Sequence, residues 1–89
     1  MTVTHHPDRS RFETDHDEPA YLQYERRDEG TIDLVHTIVP PHLEGKGIAS
    51  DLVKTAFEYA KSNNVRVVPS CSYVRSWLSR HDGYEDIVS

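Results

Sequence analysis

Cysteine is nearly absent. Cys71 stands alone in 89 residues, so no disulfide can close within the chain, and a reducing compartment is the expectation. Long apolar runs are also missing. No stretch is long enough to cross a bilayer as a helix, and the start, MTVTHHPDRSR, lacks the hydrophobic segment of a secretory signal. The cytoplasm is therefore the expected location. Basic charge is scarce: 10 Lys and Arg stand against 15 Asp and Glu, a formal net charge of -5 with His neutral. A field of that sign disfavours nucleic acid and anionic membranes as partners. No internal repeat is evident. The length permits one domain, and a monomer is expected.

The residues that are present fall into an ordered pattern. Met1 to Ser10 are polar and contain Pro7. With the low mean hydropathy of -0.69, they read as a flexible tail ahead of a domain spanning 11–89. His5, His6, Asp8 and His16 are metal-ligand types, but a solvated tail fixes no geometry, so no metal is expected. Arg11–Thr14 reads as a first strand, followed by the acidic turn DHDEP. Ala20–Arg27 alternates, with Leu22 and Tyr24 on one side. Arg26 and Arg27, the only adjacent arginines, read as part of a solvated turn among acids that ends at Gly30. Thr31–Val39 is a β-rich run with Ile32, Leu34, His36 and Ile38 assigned to one face, stopped by Pro40 and Pro41. In GIASDLVKTAFEYAKSNN, Ile48/Ala49, Leu52/Val53, Ala56/Phe57 and Ala60 recur at helical steps. Val65–Val68 is a short buried strand following that helix, which suggests a crossover unit. Ser72 is the expected N-cap of a last helix reaching His81, with Val74, Trp77, Leu78 and His81 inward. Tyr84 and Ile87 are expected to pack down from the C-terminal segment. The fold class is α/β: a compact, mixed, mostly antiparallel sheet with one long and one short helix.

The chemistry concentrates in LEGKGIASDLV, residues Leu43–Val53. The first N–H groups of a helix lack intrahelical partners and sit at the positive end of its dipole, so phosphate binds there. Gly45 and Gly47 leave room for a close approach. The stretch is no P-loop, since G-x-x-x-x-G-K-[ST] is absent. It is no Rossmann fingerprint either, since Ser50 stands where the third glycine belongs. By pattern alone, a tight turn into the helix and a phosphate site both remain open.

EGKGIA and the helix after it resemble motif A of the GCN5-related N-acetyltransferases, Q/R-x-x-G-x-G/A. Gly47 and Ala49 match its last two positions, and Glu44 departs from the Q/R position. The longer runs HTIVPPHLEGKGIASDLV and VRVVPSCSYVRSWLSRHDGYEDIV resemble the small single-domain subgroup often called YjdJ-like or GNAT-like. Its marks are a strand ending in V-P, the glycine turn, a helix, V-x-P-x-C and a closing R-H-P-E-Y-like segment. Arg80, His81 and Tyr84 match that segment, while Asp82 and Gly83 replace Pro-Glu. The resemblance runs from Arg11 to the C-terminus.

What it implies is an acetyl-CoA site. The backbone N–H groups of Gly45, Lys46, Gly47, Ile48 and Ala49 would hold the pyrophosphate. Glu44 places a negative charge beside it, partly offset by Lys46. His36, Thr37, Ile38 and Val39 would pair with the pantetheine arm as an added strand. Cys71 would face the thioester, either accepting the acetyl group or shaping the pocket; a buried small hydrophobe is its bland reading. Direct attack by an amine needs a base. Larger relatives use a glutamate on a central strand; here that region offers Asp33 and His36. Histidine suits the task as a residue type, though His36 serves equally as a lining residue. Tyr73 and Tyr84 are candidate acids for the leaving thiolate, with packing as their competing role. Three functions compete: an acetyl-CoA-dependent N-acetyltransferase acting on an unidentified amine, a CoA-binding module without turnover, and a small interaction domain with no cofactor.

Overall fold

A computed structural model describes residues 1–89. The apolar stripe forms helix α1, Ile48–Ser62, and Ile48, Leu52, Val53, Ala56, Phe57 and Ala60 are its buried residues. They pack on one face of a five-stranded sheet whose order follows the chain: β1 (Val3–His6), β2 (Arg11–Thr14), β3 (Tyr21–Asp28), β4 (Thr31–Ile38) and β5 (Arg66–Val68). The first four strands run antiparallel. β5 pairs parallel to β4 through Thr31↔Arg66, Ile32↔Val67 and Asp33↔Val68, because α1 carries the chain back before it is laid down. Phe12, Leu22, Tyr24, Ile32, Leu34 and Val67 complete the core under α1. Helix α2, Ser72–Leu78, adds Val74 and Trp77. Arg66 then clamps the C-terminal segment, donating to the carbonyls of Asp86 and Val88 and to the Ser89 hydroxyl. No helix is long and apolar enough to cross a membrane.

The structure departs from the sequence reading in four places. Met1–Ser10 is not a free tail: Val3–His6 pairs residue for residue with β2, from Val3↔Thr14 to His6↔Arg11. Aromatic packing holds it. The His5 ring stacks on Phe12 at 4.3 Å, meets Tyr59 edge-on at 4.4 Å, and its Nε2 lies 2.7 Å from the Tyr24 hydroxyl. His6 faces Glu13, and His16 bonds Thr14, so the three histidines serve separate contacts. Arg26 and Arg27 lie in β3, not in a turn, and Arg27 pairs with the buried Asp33. Cys71, rather than Ser72, is the N-cap of α2, and the helix ends at Leu78, short of His81.

The fourth departure is a β-bulge. Tyr24 pairs with Leu34 but Gln23 pairs with His36, so Val35 is an extra residue on β4. Past it the side chains change face. Thr37 pairs with core residue Leu22 and points towards α1, while His36 and Ile38 lie opposite Gln23 and Tyr21 on the face away from α1. That puts His36 and Ile38, assigned with Ile32 and Leu34 from the sequence, on the exposed face.

Burial, then the charges of Arg26 and His6, lower the pKa of His5 below 6.5. The folded protein therefore prefers neutral His5. Its docking energy is complete above pH 6.5 and declines as pH falls through the window between 6.5 and the lowered folded value. Amide exchange of Val3–His6 should accelerate relative to β3 between pH 7.5 and 5.5, and the difference should vanish in His5→Gln. Equal protection at both values would show that His5 does not hold the strand.

Candidate functional site

Pro40 and Pro41 end β4, since proline supplies no ladder N–H. A single 3-10 turn, Pro41–Leu43, then buries Leu43 and turns the chain back towards the sheet. Gly45 and Gly47 follow at φ +78° and +76°, the left-handed region that glycine enters without strain. A Cβ at either position would meet nothing within 4 Å. The free protein thus needs glycine there for backbone angle rather than for room.

Gly47 is the N-cap of α1 and brings no capping side chain. The first bond of the helix ladder runs from Asp51 N–H to the Gly47 carbonyl at 3.2 Å. The N–H groups of Ile48, Ala49 and Ser50 precede that bond and remain free of the ladder. They front an open groove of about 520 Å³. Its walls are the end of β4 at Val39, the turn from Leu43 to Gly47, the first turn of α1 through Ser50, and Tyr73 from α2. A second concavity, about 320 Å³, lies elsewhere, between Leu78, His81, Glu85 and Val88.

Cys71 sits where β4 and β5 part. The last ladder pair is Asp33↔Val68, Pro69 interrupts, and the Cys71 N–H donates to the Leu34 carbonyl at 2.9 Å. Beyond Leu34 the β5-facing edge of β4 has no strand partner. The bulge brings Thr37 to this edge, with its Oγ1 3.5 Å from the Cys71 Sγ. Burial pushes the thiol pKa up. The Thr37 hydroxyl and the N–H groups of Val74, Tyr73 and Thr37 outweigh it, holding the thiol below its usual value. The pH midpoint of Cys71 alkylation should accordingly lie below that of a free thiol and move up in Thr37→Val. An unchanged midpoint in that variant would remove Thr37 from the account.

The expected site residues thus separate into groups. Val39, Glu44, Gly45, Gly47, Ile48 and Ala49 line one groove, and Thr37 and Cys71 meet beside it at the open edge. Lys46 is exposed within the same turn. His36 and Ile38 face the other side of the sheet, so a role for His36 against a thioester at Cys71 loses its geometric support. Asp33 is committed too: it is fully buried and its Oδ2 is paired with Arg27. Burial opposes its ionisation, but Ser70 and the Arg27 charge outweigh that and hold the carboxyl below its ordinary value. Its Oδ1 has no partner of regular geometry. Tyr84 donates to Glu58 at 2.5 Å, which with burial pushes its phenol up to about 12. Tyr73, by contrast, stands in the groove wall. Leu43 and Ser50 were not singled out as site residues from the sequence. Ser50 sits at the third position of the helix after Gly47, and that placement was its available signal.

A family model described as GCN5-related N-acetyl-transferase matches residues 11–87. The protein NATD1 of Xenopus tropicalis is 32% identical over 62 residues, covering 70% of this chain and 57% of that protein. NATD1 of Bos taurus is 33% identical over 62 residues, covering 70% and 55%. The chain therefore spans little more than half the length of these curated relatives. A solution NMR structure of a candidate GCN5-like N-acetyltransferase from Staphylococcus aureus matches with a TM-score of 0.76 at 28% identity, over 99% of this chain and 87% of that one.

Proposed function

This chain belongs to the GCN5-related N-acetyltransferase family, and from that premise we propose that it binds acetyl-CoA in the glycine groove and transfers the acetyl group to an amine. The observation that carries this reading is the uncapped N-terminus of α1 behind two left-handed glycines. Gly45, Lys46, Gly47, Ile48 and Ala49 present backbone N–H groups to a pyrophosphate. The edge of β4 from His36 to Val39 offers its free backbone groups to the amides of the pantetheine arm, whatever face each side chain takes. Glu44 opposes a phosphate by charge, and Lys46 offsets it.

The thioester end then meets Cys71. The hydrogen bonds that favour its thiolate suit two roles. Cys71 Sγ can attack the thioester carbon, expelling the CoA thiolate and carrying the acetyl group until an amine displaces it. Alternatively, it can border the pocket while the amine attacks directly. The link from Asp15 to Ala20 between β2 and β3 is too short for a helix, so the acceptor side stays open to a protein amine or a bulky substrate, and the acidic surface also suits a small polyamine. The acetyltransferase domain in this reading takes in β1 as well as residues 11–89, working as a cytoplasmic monomer. A second reading, binding without turnover, draws on Asp33: the strand carboxylate is engaged by Arg27 and serves poorly as a base.

Thermal unfolding with and without acetyl-CoA tests the proposal. At one hundred times its Kd a ligand of the native state adds about 2.7 kcal/mol, which for a domain this small raises Tm by roughly 10–20 °C. No shift at millimolar ligand would overturn both CoA readings. Given a shift, acetylation of an amine panel, with mass spectrometry of Cys71, separates transfer from binding alone. Full turnover in Cys71→Ala would eliminate the acceptor role.

A further inference from the structure

The Trp77 indole N–H donates to Ser50 Oγ at 2.9 Å, across the contact between α2 and α1. Trp77 is 1% exposed and its ring is held between neighbours: Phe57 stacks on it at 5.6 Å and 8°, and His81 at 4.0 Å and 10°. The donor direction is thereby set by packing. An indole nitrogen can only donate, so Ser50 Oγ must accept. A hydroxyl that accepts still has one proton to give. In this structure that proton has no acceptor: Ser50 does not bond back to the carbonyl one turn earlier, as Thr55 does to Asp51 at 2.8 Å. Ser50 also lines the glycine groove, beside the free N–H groups of the first turn.

We propose that Trp77 is a positioning residue for the phosphate turn: by fixing Ser50 Oγ as an acceptor, it directs the Ser50 O–H into the groove as a further donor to a phosphate oxygen. The inference rests on the acetyl-CoA reading above and goes beyond it by making α2 part of the phosphate site. It also couples the two ends of the groove, because the helix that starts at Cys71 carries Trp77.

The test is the Kd of acetyl-CoA for the full chain and four variants. Ser50→Ala is expected to weaken binding about tenfold, the usual scale for a hydrogen bond to a charged group, and to lower the Tm of the free protein by several degrees, because the buried Trp77 N–H loses its acceptor. Ser50→Thr, which keeps the hydroxyl, should restore binding. Trp77→Phe keeps a ring in the stack and loses the N–H; it should weaken binding about threefold, on the scale of a neutral hydrogen bond. In a Ser50→Ala background the same change should have no further effect, since it acts only through Ser50. Wild-type affinity in Ser50→Ala would overturn this inference while leaving the acetyl-CoA reading intact. The same holds for equal, additive losses from Trp77→Phe in both backgrounds. A wild-type chain that does not bind acetyl-CoA would overturn both. Should Trp77→Phe fail to fold, the NMR signal of the Trp77 indole N–H in the wild-type chain decides: it should shift when acetyl-CoA binds, because its acceptor Ser50 Oγ then gains a phosphate, and an unmoved signal in the saturated protein would overturn the inference.

Discussion

Trp77→Ala is expected to lose about 3–5 kcal/mol of folding stability, the range for deleting a buried aromatic ring. A domain of this size has of order 5–10 kcal/mol in total, so the variant should melt roughly 15 °C lower or more. The packing explains the size of the effect. Trp77 is 1% exposed, and Phe57, Tyr84 and His81 all lie with ring centroids within 5.6 Å of it. Three flat rings cannot collapse into the space that an indole vacates, so most of the cavity persists. Val74 is the other buried residue of α2; losing Trp77 removes most of what holds that helix to the core. Chemical denaturation of wild type and variant measures the difference. A loss below about 1 kcal/mol, far under the usual range, would mean that α2 does not depend on this stack. Because Cys71 is the N-cap of α2, the variant should also alkylate with a pH midpoint closer to that of a free thiol.

Gly47→Asp should still fold, at a cost of about 1 kcal/mol for a side chain at a left-handed angle, and abolish binding of acetyl-CoA. Aspartate is among the few side chains that tolerate the left-handed region, and Gly47 is at φ +76° with nothing within 4 Å of an added Cβ. A carboxylate at the start of a helix is also favoured by the helix dipole. The same carboxylate would occupy the place proposed for the pyrophosphate. Two unit charges about 4 Å apart near a protein surface repel by about 4 kcal/mol, so the loss should exceed a hundredfold. Gly47→Asn, the neutral isostere, isolates the charge: it should bind far better than Gly47→Asp. Equal affinity in wild type and Gly47→Asp, measured by calorimetry, would move the phosphate away from this turn.

Much of this molecule is written in short-range terms. The spacing of Ile48, Leu52, Val53, Ala56 and Phe57 marks α1, because a helix must bury one stripe. Pro40 and Pro41 mark the end of β4, because proline cannot continue a ladder. Gly45 and Gly47 mark the turn, because its angles exclude most side chains. Those signals depend on neighbours within a turn or two, so the α/β class and the glycine groove were legible from the residues in order. The Val35 bulge was not. An extra residue shows only against the register of β3, and it is the bulge that separates His36 from Thr37 and leaves Thr37 with Cys71. The polar start reads as solvated until Phe12, Tyr24 and Tyr59 are assembled to receive His5. Arg27 reads as a turn residue until Asp33 is buried six positions later and needs a counter-charge. Trp77 and Ser50 are 27 positions apart, and nothing local to either announces the bond between them. Local conformation and burial pattern follow from the order of residues; register, cross-strand pairing and the partners of buried polar groups arise only when distant segments are packed together.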